Sequence, residues 1–402
     1  MTMERKRFSR VLRLESGQAV QLRRARPKEA AAVRELYDDV YGGAYPLSLI
    51  RDPAELAATL ADPSHFWAVL EHDKRLIGSV LFAVDAGDGI GKVFGAVVRP
   101  EYRGHDLTQR AIAKMVEAVT AGPQPLDVLY ATTRTVTPAP AKLVRRLGFV
   151  NCGVFPNVHR VSVSETHGLD VLARPEALEA RLRRPQLIPE VAEFYAIVRE
   201  SLNLPDEAEL VEMPAPPPAD LHLGFEVLGD VAAVRELYRA RLAEHRLRYC
   251  FFPFHEPHLL CHTKDHADEV FLHRNDADGY GAILGISSER PEFGGLLDQL
   301  CEAAERLGFR YIELLVSAFD PGKQREAVAA RFLPCAYFPA MKRTVAGRRM
   351  DYLIFSRSFE NLDFTDIQLD GAARRYLQAF MKGWYAMLLA RTPDYERENK
   401  LF

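Results

Sequence analysis

Between residues 93 and 121 the chain reads as an apolar strand, a short polar loop and a helix, and the loop holds groups able to bind an anion. It runs Val98-Arg99-Pro100-Glu101-Tyr102-Arg103-Gly104-His105-Asp106-Leu107-Thr108. A strand that ends in a tight glycine turn and opens a helix leaves several backbone N–H groups pointing into one concavity. The positive end of the helix dipole stands behind them. Arg103 adds fixed charge, and Gly104, with no Cβ, lets the backbone approach a phosphate closely. His65 and His105 are candidate bases, although a lone histidine more often sits on the surface or in packing. A second cluster has the right atoms for zinc: His255, His258, Cys261, His262, Asp265, His266 and Asp268. His258, His262 and His266 would share one helix face, but Pro257 begins the segment and no closed four-ligand spacing appears. A polar helix without metal is therefore expected there.

The elements that position the loop occur twice. Ala31-Ala32-Val33-Arg34-Glu35-Leu36-Tyr37 recurs as Ala232-Ala233-Val234-Arg235-Glu236-Leu237-Tyr238, 201 positions on. Arg99-Pro100-Glu101-Tyr102-Arg103-Gly104 recurs as Arg290-Pro291-Glu292-Phe293-Gly294-Gly295, 191 on. Phe149, Cys152, Phe155 and Pro156 recur as Phe332, Cys335, Phe338 and Pro339, 183 on, and Asp170 recurs as Asp351, 181 on. The order is kept while the offset shrinks, as for two copies of one fold whose second copy has lost loop residues. The expected domains are 1–212 and 221–402, joined by a Pro-rich linker at 213–220 that includes Pro214, Pro216, Pro217 and Pro218.

In the first copy, periodicity predicts a strand at 20–24, helices through Val40 and over 53–60, and a hairpin of 66–71 with 76–84. A strand at 93–98, a helix from 107 to about 121, a strand at 129–133, a helix at 140–147 and strands at 154–163 and 169–173 follow. The order β-α-α-β-β-β-α-β-α-β-β gives an α/β mixed sheet with helices on both faces. Amphipathic helices at 187–202 and 372–389 close the two copies. The second carries Tyr376, Phe380, Trp384 and Leu388 on one stripe.

Composition bounds the rest. A chain of 402 residues with 48% hydrophobic and 27% charged content is ordinary for a soluble protein. A net charge of −3 gives no electrostatic footprint for nucleic acid. The five cysteines are odd in number and lack CxxC spacing, which reads as reduced thiols in a cytoplasmic protein. No apolar run approaches a membrane span, and the basic N-terminus lacks the apolar region of a signal peptide.

The loop resembles the signature of the GNAT superfamily of N-acetyltransferases, Arg/Gln-x-x-Gly-x-Gly/Ala after Val-x-Pro-Glu-Tyr, and Leu147-Gly148-Phe149 resembles that family's later hallmark. The resemblance implies two tandem acyl-CoA N-acyltransferase domains, the second degenerate, with acetyl-CoA as cosubstrate and no metal. Main-chain amides of the loop would bind its pyrophosphate, the binders being Val98, Arg103, Gly104, His105, Asp106, Leu107 and Thr108. A primary amine on a small-molecule substrate would attack the thioester carbonyl directly, without nucleic acid or membrane as partner. Tyr130, on the strand that lines the family's cleft, would be placed to protonate the departing thiolate. Tyr41 and Tyr45 stand where the family builds its acceptor pocket. Three positions depart from the pattern. Glu101 and Asp106 replace the first and last signature residues, and Val144 stands where a general-acid tyrosine is common. The second loop keeps Gly294 and Gly295 but has Leu296 and Leu297 after them. That half would support the fold, shape the acceptor cleft or mediate a homodimer. The departures leave a second expectation open, a non-catalytic acyl-CoA-binding sensor or scaffold.

Overall fold

A computed structural model describes residues 8–43, 48–50, 52–121, 124–160, 163–214, 221–248, 251–290 and 293–389. Before residue 214 the elements are β1 (Ser9–Arg13), β2 (Ala19–Arg24), α1 (Ala30–Tyr41), α2 (Pro53–Ala61), β3 (His65–His72), β4 (Arg75–Asp85) and β5 (Ile90–Val98). They continue with α3 (Leu107–Thr120), β6 (Val128–Arg134), α4 (Ala139–Arg146), β7 (Val150–Arg160) and β8 (Ser164–Ala173). Then come α5 (Pro175–Glu179), β9 (Gln186–Leu187), α6 (Pro189–Leu202) and β10 (Glu209–Leu210). The second half holds β11 (Glu226–Leu228), α7 (Val231–Ala243), β12 (Leu259–His262), β13 (Asp268–Asn275) and β14 (Tyr280–Ser288). It ends with α8 (Phe293–Arg306), β15 (Tyr311–Ser317), α9 (Pro321–Ala329), β16 (Leu333–Arg343), β17 (Arg349–Ser358) and α10 (Gly371–Leu389).

Local chemistry sets the first helices of each half. Asp52 caps α2, accepting from the Ala54 amide at 2.8 Å, with Pro53 at the first helical position. Asp230 caps α7 through the amides of Ala232 and Ala233, each at 3.0 Å. Helix α1 buries Val33, Leu36 and Tyr37 on one face and stops where Gly42 turns left-handed.

Both halves contribute to one sheet of 15 strands, ordered β1-β2-β3-β4-β5-β6-β8-β7-β16-β17-β15-β14-β13-β12-β11. Read outward from its centre, the order is the same in both directions: β7-β8-β6-β5-β4 and β16-β17-β15-β14-β13. The parallel neighbours in this sheet are β5 with β6 and β14 with β15. One core lies beneath α3, with Leu107, Ile112 and Met115 against Phe82 and Leu129. Another lies on the opposite face beneath α1 and α2, around Tyr37, Leu56 and Trp67. The largest core fills the junction of the halves.

The two sheet segments join at one rung, Gly153 opposite Ala336. A Cβ on Gly153 would stand 2.1 Å from that of Ala336, so only glycine permits the approach. Arg181 of the first half, 1% exposed, crosses to Asp351 of the second, 0% exposed. Its Nε donates to Asp351 Oδ1 at 2.9 Å, while the Tyr337 hydroxyl and the Ala340 amide donate to the same carboxylate at 2.6 and 2.8 Å. His159 pairs with Asp278, and Asn157 exchanges two hydrogen bonds with the backbone of Asp363. Helices α6 and α10 lie side by side over β7 and β16, their rings Phe194 and Tyr376 5.9 Å apart.

Several sequence expectations change here. Helix α6 does not close the first half alone; it covers strands of both. The expected helix through His258, His262 and His266 is strand β12 and a turn, because the apolar run Leu259-Leu260-Cys261 pairs with β13. Strand β1 was not foreseen. In place of α2 the second half has no helix among its described residues, and the stretch between helix and sheet is shorter there. Tyr45, Cys250 and residues 215–220 of the expected linker lie outside the described residues.

Candidate functional site

The loop after β5 is a 3-10 turn over Pro100–Tyr102, and it is anchored from below. Arg99 is buried. Its Nε donates to the Leu76 carbonyl at 2.9 Å, and its guanidinium pairs with Asp39 of α1. The Arg103 amide donates to the Pro100 carbonyl at 3.1 Å, and the Arg110 amide to the Asp106 carbonyl at 2.9 Å. Among the described residues, none of the six amides between them, Gly104 to Gln109, donates to a protein acceptor. Gly104 has φ +86°, and a Cβ built on it would meet nothing within 4 Å. Asp106 sits left-handed at φ +51° as the N-cap of α3, a conformation asparagine and aspartate tolerate and glycine prefers. Its side chain caps no amide. His105 Nδ1 is buried without a hydrogen-bond partner. These groups form a donor cradle at a helix N-terminus, the arrangement that receives a phosphate.

Below the loop, β5 and β6 part. They pair in parallel only at Ile90–Val93 against Val128–Ala131. Beyond that, Gly95 turns left-handed at φ +64° and the register of β5 against β4 slips, a bulge that bends the strand away. The buried Tyr37 hydroxyl donates to the Gly95 carbonyl at 2.5 Å and fixes the bulge to α1. Upper β5 and the end of β6 therefore diverge into a cleft. Tyr41, at the end of α1, stands within electrostatic reach of Arg134 and Arg103; burial pushes its hydroxyl up, and the two guanidiniums oppose that. Arg134 pairs with Glu165, its Nε donating at 2.7 Å. Burial would raise the Glu165 carboxyl, but the nearby His167 ring and the hydrogen-bonded Arg134 guanidinium hold it at about 2. Past the end of β6 lies a cavity of 390 Å³, walled by Arg134, Val136, Val163 and Glu165 of one half and residues 365–368 of the other.

The sequence-derived residues divide by place. Arg103, Gly104, His105, Asp106, Leu107 and Thr108 lie together at the helix N-terminus, with Val98 ending the strand that leads there. Tyr130 stands at the closed end of the cleft rather than in its open part. Its strand alternates, so Val128 and Tyr130 enter the junction core while Leu129 and Ala131 lie under α3. Its ring packs 5.3 Å from Phe338 and 6.1 Å from Phe254, and burial pushes its hydroxyl well up. His65 is tied to Asp62 at 3.0 Å in the α2–β3 turn, two strands from β5. Val144 is buried in the core under α3 and presents no proton donor.

Sequence reasoning missed Lys92. It stands opposite Tyr130, its Nζ 5.9 Å from the centroids of both the Phe94 and Tyr130 rings. It also missed that Phe254 and His255 of the second half close this end. No group of three or more His, Cys, Asp or Glu side chains among the described residues is arranged to hold a metal ion. No helix among them is long and apolar enough to cross a membrane.

The matched place in the second half is filled. Gly294 and Leu296 are buried in the first turn of α8, and a Cβ on Gly294 would stand 3.2 Å from the Glu326 carbonyl of α9.

Residues 30–149 match the Acetyltransferase (GNAT) family profile, so this span carries a GNAT acetyltransferase domain. No curated protein sequence matches the chain. Among solved structures the chain is similar to a ribosomal-protein-S5-alanine acetyltransferase from Vibrio fischeri, with 18% identity and a TM-score of 0.36, over 42% of this chain and 98% of that one. It is similar also to a GNAT-family acetyltransferase from Streptococcus pneumoniae, with 18% identity and a TM-score of 0.34, over 38% and 98% of the two chains. A third is Mycobacterium smegmatis RimJ in complex with CoA-disulfide, with 18% identity and a TM-score of 0.36, over 42% and 88%.

Proposed function

We propose that the first half binds acetyl-CoA and transfers its acyl group to an amine by direct attack on the thioester carbonyl. The observation that carries this reading is the run of six unpaired amides at the open N-terminus of α3. On this reading Val98, Arg103, Gly104, His105, Asp106, Leu107 and Thr108 hold the pyrophosphate. The pantetheine arm lies between the diverging β5 and β6, and backbone N–H groups near the Gly95 bulge polarise the carbonyl as an oxyanion hole does. The acceptor enters from the α1 side, past Tyr41 and Arg134. Tyr130, whose proton burial retains, acts as donor and not as base.

The second half is read as a degenerate copy arising by tandem duplication. The ordered sequence repeats and the matching strand order support this. It walls the acceptor side and has no cofactor site of its own. A cytoplasmic setting fits the buried free thiols of both halves, Cys152, Cys261, Cys301 and Cys335. The rival reading, an acyl-CoA sensor without turnover, draws support from Val144 and from the carboxylate of Asp106. Calorimetric titration of acetyl-CoA into wild type and Gly104→Glu tests the reading, with micromolar binding expected in the first and lost in the second. Release of free CoA in the presence of a panel of amines then supports the enzyme, and binding without release supports the sensor. Absence of binding to wild type overturns both.

A further inference from the structure

The closed end of the cleft holds a cation that the protein leaves uncompensated. Lys92 is partly buried, and among the described residues its ammonium makes no hydrogen bond and no ion pair. The faces of Phe94 and Tyr130 offer it about 1 kcal/mol each, whereas withdrawing an ammonium from water costs several kcal/mol. Glu313 of β15 is a carboxylate whose field reaches it, but that carboxyl accepts from the Tyr280 hydroxyl at 3.0 Å and burial raises it to about 7. His255 and His273 stand in the same field and are kept neutral by burial, His273 at about 4. Burial lowers Lys92 itself. The rings of Tyr130 and Phe254, 6.1 Å apart, bring the second half against the same end.

We propose that Lys92 forms a carboxylate-binding subsite at the closed end of the cleft, roofed by Phe254 and His255 of the second half. The proposal rests on the acyl-CoA reading and names the chemistry that reading leaves open. Lys92 precedes the Gly95 bulge by three residues, roughly 10 Å of strand, and precedes Val98 by six, roughly 20 Å. The phosphate cradle and Lys92 therefore serve different parts of a ligand. A carboxylate near Lys92 belongs either to the far end of a dicarboxylic acyl group, such as succinyl, or to an amino-acid acceptor.

Calorimetry with acetyl-CoA, succinyl-CoA and free succinate on wild type and Lys92→Met separates the sources. If the acyl group carries the carboxylate, succinyl-CoA binds wild type more than tenfold tighter than acetyl-CoA, and Lys92→Met abolishes that preference without weakening acetyl-CoA. If the acceptor carries it, the two esters bind alike. CoA release then favours amino acids over their amides by more than tenfold in wild type and by less than twofold in Lys92→Met. Should no CoA ester bind, the acyl-CoA reading fails by itself. Binding of succinate to wild type but not to Lys92→Met would then still support the subsite. A Lys92→Met protein that matches wild type in every arm overturns it. The variant keeps the aliphatic stem and removes a poorly solvated charge, so its melting temperature is expected to stay level or rise; Lys92→Arg is expected to retain the preference.

Discussion

The two halves place the same strand–loop–helix beside the same parallel pair, and only one of them is open. At Gly104 the glycine faces empty space, and the six amides from Gly104 to Gln109 are unpaired among the described residues. In the second half Gly294, at the position of Arg103, is pressed against the backbone of α9, and leucines follow Gly295, the counterpart of Gly104. A second matched pair shows the reverse asymmetry. Asp351 is bridged by Arg181, Tyr337 and the Ala340 amide, while among the described residues Asp170 has only the Thr133 hydroxyl at 2.6 Å and a long contact from Asn151 at 3.5 Å. The first half presents free amides at a helix N-terminus, and the second uses the matched polar group as a joint. If the halves are copies of one fold, as proposed, binding capacity and structural capacity are divided between them.

The joint is where substitution costs most. Asp351→Asn removes the carboxylate that makes most of the hydrogen bonds to the buried Arg181 guanidinium and leaves it only Asp206 as counter-charge, at 3.3 Å. Breaking a buried pair costs about 3–5 kcal/mol, so a loss toward the lower end is expected. Chemical denaturation followed by fluorescence of Trp67 and Trp384 is expected to show this loss in both halves at once. Asp170→Asn is expected to do the opposite above neutral pH. Burial raises Asp170 to about 6, above its unfolded value near 3.8. A carboxyl with a raised folded value contributes its stability below the unfolded value and loses it as pH rises through the folded one. Wild type therefore loses up to about 3 kcal/mol between pH 4 and pH 7 from this group. The difference between the variant and wild type should grow over that window. Equal effects of the two asparagines would erase the distinction between joint and remnant.

The loops are distinguished by crossed substitutions. Gly104→Glu puts a carboxylate into the cradle and is expected to weaken acetyl-CoA at least 100-fold, about 2.7 kcal/mol. Its left-handed φ adds about 1 kcal/mol of strain to the fold. Gly294→Leu should leave acetyl-CoA binding within twofold and lower stability by about 1–3 kcal/mol through overpacking against Glu326. Acetyl-CoA binding that follows Gly294 instead of Gly104 would reverse the assignment of the site.

Much of this architecture is legible in the residues. The heptad at Ala31, the proline after Val98 and the aspartates at positions 52 and 230 mark helix starts and strand ends that local geometry obeys. What escapes is set by contacts distant in sequence. The basic segment before Leu14 becomes strand β1 because β2 offers an edge, with Val11 left 64% exposed. The histidine run from His258 looks helical by spacing, yet Leu259-Leu260-Cys261 is claimed by the partner strand β13. That one sheet passes through both halves depends on Gly153 meeting Ala336, and neither residue signals it. Lys92 reads as a solvated strand residue until the second half is folded against it.

Asp106 offers the finest test of the cradle. The loop needs a left-handed residue there, which glycine supplies without strain and aspartate supplies at small cost. Its carboxylate caps no amide, so it stands beside the helix N-terminus as a charge that any phosphate must tolerate. Asp106→Gly keeps the backbone and removes the charge. A charge near a helix terminus is worth about 0.3–1 kcal/mol, so acetyl-CoA should bind roughly two- to fivefold tighter. The gain should shrink as salt rises from 0.01 M to above about 0.1 M, where screening reaches about 10 Å. Tighter binding at low salt places the phosphates within the field of Asp106, at the amides that follow Gly104. Weaker binding would mean that the aspartate organises those amides in the occupied loop, and the cradle would then be a site that its ligand completes.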